Sequence, residues 1–174
     1  MKQGEELNNG TVPIGFSVAI NASLSMHNPL FSMLMLGVFE ELGLSGSAEP
    51  GYEVYTLNFE RDESLHFINR QDDYLDVITE AGRLTEPYST DMLLSLLELN
   101  GYDGMEFPLS VSVERESGTL LVCYMQRLAI LDVPTVIRLT GSIRAKAAMV
   151  SRTLVEPSVC RPTSDEDSLL LMKA

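Results

Sequence analysis

Tryptophan is absent from this chain, and cysteine and histidine occur twice each in 174 residues. Each scarcity removes a class of chemistry. Cys123 and Cys160 are too few and too widely spaced for a disulfide framework or a Cys-based zinc site, and such sparing use suits a reducing compartment. Cys123 sits in an apolar run and reads as a small buried hydrophobe. His27 and His66 fall in different predicted elements, so no triad or metal site converges on them. The phosphate-cradling, metalloprotease and nucleophile-elbow motifs are missing, and Gly43-Leu44-Ser45-Gly46 has the wrong spacing for the last of these. No apolar run approaches the roughly 18 residues of a membrane span. Val12–Met26 comes nearest to a signal core, but Pro13, Gly15, Ser17 and Asn21 interrupt it. Its leader also carries one Lys against two Glu. Residues 1–27 therefore read as a cytoplasmic N-terminal extension, loosely held or packed as a strand.

Positive charge is scarce too. Twelve Lys and Arg stand against twenty-five Asp and Glu, a net charge of −13. Such a field repels phosphate, which disfavours nucleic acid and anionic membranes as partners. The imbalance is uneven: residues 1–126 hold five basic and twenty acidic residues, residues 127–174 seven and five. An acidic body keeps a sticky protein dispersed and attracts basic partners. Hydrophobic residues at 45% and charged residues at 21% describe an ordinary globular domain.

The elements follow from periodicity and punctuation. Asn28 caps a helix that begins at Pro29 and stops at Gly43. Leu34, Met35, Leu36, Val38, Phe39 and Leu42 form its apolar arc, with Ser32, Gly37, Glu40 and Glu41 opposite. Leu30 and Met33 project toward that polar side, so the helix is more apolar than one buried face requires. After the turn-rich stretch 45–51 come three β patterns, Tyr52–Phe59, Ser64–Asn69 and Asp73–Thr79. Tyr55, Leu57 and Phe59 share a face, as do Leu65 with Phe67 and Leu75 with Val77. The other face holds Val54, Ile68, Tyr74 and Ile78, which predicts a sheet covered by a helix on one side and touched by something on the other.

The second helix, Ser89–Asn100, carries Met92, Leu93, Leu94, Leu96, Leu97 and Leu99. A surface helix needs only three or four large apolar residues per two turns, so the excess points to a second packing surface. Leu109–Arg115 alternates cleanly and forms a hairpin with Thr119–Met125. Asp132 opens the last helix, whose stripe is Val136, Leu139, Ile143, Ala147, Val150 and Leu154, with Arg138, Arg144, Lys146 and Arg152 outside. From Glu156 the chain reads as a flexible tail, a candidate docking peptide. The fold class is α+β, in the order α-βββ-α-ββ-α, with a mainly antiparallel twisted sheet and helices packed on it.

Two features bear on chemistry. Asp72, Asp73, Asp76 and Glu80 form the densest acidic group; a cation site or an acid/base pair would need them to converge, and a solvated strand edge is the simpler reading. Taken singly, Met26, Met33, Met35, Met92, Met105 and Met125 read as core filler, while the set around the first helix reads as an adaptable binding surface.

Element order, acidity and the apolar second helix over Asn28–Leu154 resemble the class I type III secretion chaperones of Gram-negative bacteria (the Tir-chaperone-like family). The resemblance implies a non-catalytic cytoplasmic homodimer without cofactor or metal. The domain is expected at 28–155, flanked by the extension 1–27 and the tail 156–174. It implies a two-fold interface built from Met92, Leu93, Leu96, Leu97, Leu109, Val111 and Val113. It further implies that an effector's N-terminal segment wraps the dimer in extended form and adds a strand to the three-stranded region. Its apolar side chains would meet Leu30, Met33, Leu34, Val54, Tyr55, Leu57, Phe67, Ile68 and Leu75. The secretion ATPase is a candidate further partner. A regulatory or scaffolding domain of the same architecture, and an enzyme using the Asp72–Asp76 region, are the competing readings.

Overall fold

The computed structural model describes residues 16–21, 28–44, 53–59, 63–70, 72–101, 104 and 106–155. Expectations placed on Met26, His27, residues 45–51, Met105 and the tail with Cys160 lie outside these. The elements are β1 (Phe16–Asn21), α1 (Pro29–Glu41), β2 (Val54–Phe59), β3 (Ser64–Arg70), β4 (Tyr74–Arg83) and α2 (Thr90–Glu98). Then follow β5 (Ser110–Val113), β6 (Thr119–Arg127), a 3-10 turn at Leu128–Ile130, and α3 (Val133–Val155). The α+β class and the order from residue 28 onward are as the sequence implies. Part of the N-terminal extension adds a strand in front.

All strands join one antiparallel sheet in the order β1-β2-β3-β4-β6-β5. Cross-strand rows on one face carry the core: Tyr55, Phe67, Val77 and Tyr124 in one row, Leu57, Leu65, Thr79 and Val122 in the next. These residues are buried beneath α1 and α3, together with Phe31, Met35, Val38 and Phe39 of the first helix and Val136, Leu139, Ile143 and Val150 of the last. Tyr55 lies between two rings of α1, with centroids 5.5 Å from Phe31 and 5.4 Å from Phe39. Such tilted and edge-on pairs add modestly to the burial of the rings.

The capping chemistry of α1 is what its sequence dictates. The Asn28 carboxamide oxygen accepts from the Leu30 and Phe31 amides at 3.0 and 3.4 Å. Its Nδ2 donates to Asp73 Oδ1 at 2.9 Å and to Asn69 Oδ1 at 3.4 Å, which ties the helix start to the β3–β4 turn. At the other end Gly43 takes φ +72°, and the Leu44 amide donates back to Phe39 O at 2.7 Å, closing a Schellman motif. Leu44 and Phe39, the residues that motif brings together, are both buried.

Two side chains depart from the sequence reading. Ser32 is buried, since it stands three and seven residues before Met35 and Phe39 on the same face. Lys146 is also buried, because the spacing 136, 139, 143, 146, 150 runs straight through it. Charge put it outside; helical geometry puts it in, the long aliphatic stem making such burial tolerable.

The two long helices meet at a glycine. A Cβ on Gly37 would stand 2.7 Å from Cγ2 of Val133, closer than carbon atoms pack. The β-branched valine has little rotamer freedom to yield. Gly37→Val is therefore expected to cost about 1–3 kcal/mol through overpacking, read as a fall in Tm of several degrees by calorimetry. An unchanged Tm would show that α1 and α3 slide apart freely.

Candidate functional site

With one sheet face filled by helices, the surfaces left over are the other face, the two edges and the apolar side chains the helices do not bury. The structure sorts the predicted binding residues sharply. Tyr55, Leu57, Phe67 and Leu75 have no exposed surface at all. They cannot anchor a ligand, and their place in the expected groove is corrected: they are the core that supports it. The reason is alternation, since Val54 and Ile68 belong to the opposite face of the sheet from Tyr55 and Phe67. Val54 and Ile68 are half-buried there, while Leu30 and Met33 on α1 are 53% and 71% exposed and Leu34 is intermediate.

Local bonding brings these exposed residues to one end of the sheet. The Asn69 amide donates to Glu53 O at 2.8 Å, just ahead of β2, and the Asn69 side chain accepts from Asn28. The start of α1, with Leu30 and Met33, thus lies where β2 begins.

The second helix divides in the same way. Leu96 is buried, as are Phe107 and Leu109 of the same core cluster, so Leu96 and Leu109 cannot form a subunit surface by themselves. Met92, Leu93 and Val111 are partly covered. Leu97 at 64%, Leu94 at 53% and Val113 at 49% remain open. Leu94, absent from the expected interface, shares an exposed helix face with Leu97, three residues further on. Next to this patch the β5 edge is partly closed by a side chain. Asn100 Oδ1 accepts from the Val111 amide at 2.6 Å and Asn100 Nδ2 donates to Val111 O at 3.1 Å, imitating a paired strand.

The outer sheet face mixes polar and apolar groups. One row runs Val54, Ile68, Asp76, Met125, and its neighbour runs Thr56, His66, Ile78, Cys123, Ser110. His66 Nδ1 lies 3.0 Å from Thr56 Oγ1, so this histidine is satisfied within its row. Cys123 is half-covered on this face rather than in the core, and burial pushes its thiol up from the ordinary range. A thiol so shifted is a poor nucleophile.

The acidic group does not gather. Asp72, Asp73 and Glu80 are exposed, and Asp73 holds the Asn28 cap. Asp76 points to the outer face of β4, a central strand, which corrects its reading as a solvated edge residue. Among the described residues no cluster of His, Cys, Asp or Glu could hold a metal ion. Nor is any helix there long and apolar enough to cross a membrane.

No family model matches the sequence, and no curated protein matches it either. Solved structures do. The Yersinia pestis type III secretion chaperone SycH, crystallised with a stable fragment of YscM2, matches with a TM-score of 0.56 at 18% identity, covering 70% of this chain and 99% of that one. A chain of the heterodimeric ExoU–SpcU complex of the Pseudomonas aeruginosa type III secretion system matches with a TM-score of 0.57 at 19% identity, over 71% and 99%. A chain of the ExsC–ExsE complex gives 0.58 at 14% identity, over 71% and 92%. At such identities the likeness establishes the fold. It also shows that a good quarter of this chain is additional to the shared architecture.

Asp76 provides a test of how the outer face is solvated. Burial raises its carboxyl above the ordinary value, and Arg70, 3.4 Å away and itself exposed, reverses this only in part. A raised folded-state value means that the folded protein binds this proton more tightly than the unfolded chain. The contribution of Asp76 to stability is then greatest with the carboxyl protonated and declines as pH rises through its folded value. Asp76→Val is expected to melt above the parent at pH 7, with the gap narrowing as pH falls toward the carboxylate range. A gap that ignores pH would dismiss desolvation as its cause.

Proposed function

We propose that the chain is a non-catalytic type III secretion chaperone. It acts as a cytoplasmic homodimer that binds the extended N-terminal segment of an effector and keeps it soluble and competent for export. The observation that carries this reading is the placement of the apolar surplus. On a fold shared with chains of chaperone–effector complexes, Leu30 and Met33 stay open on α1, and Leu94 and Leu97 stay open on α2. Large apolar groups left open on two separate elements are what a protein with two kinds of partner requires.

The α1 surface suits the client. Leu30, Met33 and Leu34 lie at the end of the sheet where β2 begins, with Val54 and Ile68 half-buried on the outer face. An extended segment can bond through its main chain and insert side chains beside the helix. Each anchor so buried is worth roughly 1.5–3 kcal/mol, and several together outweigh the ordering cost of a disordered segment. The α2 surface suits the second copy: an apolar helix face meets its own image across a two-fold axis, with Met92, Leu93, Leu97, Val111 and Val113 completing it. The net charge of −13 keeps the free dimer dispersed and favours basic client segments. Handover to the export apparatus, with the secretion ATPase as next partner, belongs to the same reading.

Two outcomes are expected. Leu94→Asp combined with Leu97→Asp yields a monomer by light scattering with Tm little changed, since both side chains are exposed in the single chain; a dimer of unaltered mass would remove α2 from the interface. Leu30→Ser with Met33→Ser leaves the fold intact but weakens client capture at least tenfold. The client is a secreted protein recovered from the source organism through its N-terminal segment. Equal capture by parent and variant would refute the α1 surface.

A further inference from the structure

Helix α3 differs in charge from the rest of the molecule. Its 23 residues include Arg138, Arg144, Lys146 and Arg152 and no Asp or Glu, in a chain of net charge −13. Neither α1 nor α2 contains a Lys or Arg. Lys146 is buried, while the three arginines lie on the solvent face, where Gly141, Ala145 and Ala148 between them are also exposed. An extended backbone can therefore run close to this helix with guanidinium groups on either side. The helix dipole accounts for Arg152 in the last turn, but not for Arg138 near the N-terminal end, where anions are favoured. Arg138 and Arg144 bond Glu106 and Glu63 at 3.0 and 2.9 Å, in pairs exposed on both sides and therefore weak. The five N–H donors of a guanidinium leave room for a second carboxylate without breaking either pair. Arg152 has no ion pair among the described residues.

We propose that the solvent face of α3 is a docking strip for an extended acidic segment, occupied by the chain's own run Asp165-Glu166-Asp167. Position and charge together single out this occupant. The tail leaves α3 at Val155, at the end of the strip itself, and carries three consecutive acidic residues to a helix that has none. If the chain turns at Pro157 and runs back extended at about 3.3 Å per residue, Asp165 comes about 26 Å along the helix, level with Arg138, and any slack draws it toward Arg144. The nine residues 156–164 are a short connection. Such a connection holds the acidic run at an effective concentration in the millimolar range. Leu169–Met172 follow about 13 Å further along, reaching the start of α3. Ile130 there is largely exposed, in the turn that packs on α1, and Met33 lies one turn before Gly37, where Val133 meets that helix. The docked tail shields this apolar end of the molecule with its own apolar run, and salt loosens the shield. The strip goes beyond the client reading; only competition between tail and client at Met33 rests on it.

The test uses the full chain with a nitroxide on Ser168→Cys, in a Cys123→Ser, Cys160→Ser background, and reads broadening of backbone amide signals by NMR. The amides of Gly141 and Ala145 are expected to broaden at least threefold more than those of Thr56 and His66 on the far face of the sheet. Salt at about 0.5 M should remove most of the difference. Asp165→Asn, Glu166→Gln and Asp167→Asn together abolish it, as do Arg138→Glu and Arg144→Glu together. Adding Asp165→Arg and Asp167→Arg to the two arginine reversals restores it, which a loss of fold would not allow. Broadening no greater on α3 than across the sheet overturns the proposal, and so does broadening that survives the reversals. In a mixture of spin-labelled protein without nitrogen-15 and nitrogen-15 protein without the spin label, broadening on α3 assigns the tail to a second copy and overturns docking within one chain. Where the arginine reversals impair cooperative melting, the three tail substitutions leave α3 unaltered and decide alone. No client enters these measurements, so the two ideas fail separately. Tail docking without any effector client sustains the strip and removes the secretion reading. Client capture without broadening on α3 does the reverse.

Discussion

A sheet has two faces and two edges, and the helices of this chain cover one face. That single constraint shapes everything else. The rows through Tyr55 and Leu57 become the core because α1 and α3 lie on them, and the helices can lie there together because Gly37 lets Val133 approach. At the rim, Arg144 reaches over the Phe59 ring with its guanidinium carbon 4.0 Å from the centroid and bonds Glu63 at 2.9 Å. Both partners of that ion pair are substantially exposed, so its electrostatic part is small. Its use is to lay the arginine's flat face over an aromatic ring at the core boundary.

What the helices leave uncovered is dealt with piece by piece. The outer face is kept from being a plain apolar slab by Asp76 and Arg70 and by the Thr56–His66 pair. At the two ends of the sheet Asn100 bonds Val111 of β5, and β1 pairs along β2 as the terminal strand. The open leucines of α2 and the open pair on α1 stand out as apolar surfaces left exposed among the described residues.

Much of the architecture is written in short-range signals. Asn28-Pro29 and Gly43 mark the ends of α1, the stripe from Val136 to Val150 marks α3, and the alternation in 109–113 marks β5. Face assignment is harder. In β2 and β3 both faces carry apolar residues, so periodicity says that Tyr55 and Val54 point apart but not which one the helices cover. That choice is made by long-range packing, and it moved four expected groove residues into the core. The split between Leu96 and Leu97 has the same origin: six large apolar residues around one short helix fix the surplus, while the packing of α2 on the core beside α3 fixes which of them goes under. The pairing of β1 was equally hidden, since its partner lies beyond α1 in sequence and nothing local in 16–21 specifies which edge it joins.

The two open surfaces also differ in the kind of partner they accept. Beside α2, the nearest strand edge is already engaged at Val111, so an arriving chain finds side chains there and little free backbone. A surface of that kind selects a preformed, complementary body, and a second copy supplies one by symmetry. At the other end of the sheet the order is reversed. There β1 pairs with β2 through its main chain, and the exposed side chains of α1 lie at the same end of the sheet as the start of β2. Backbone pairing needs no folded partner; it needs an extended one. An unfolded segment that satisfies the ladder and fills the α1 surface gains on both counts, whereas a folded domain gains on neither. The proposed division between a permanent twin and a transient, unfolded guest rests on this difference between the two surfaces.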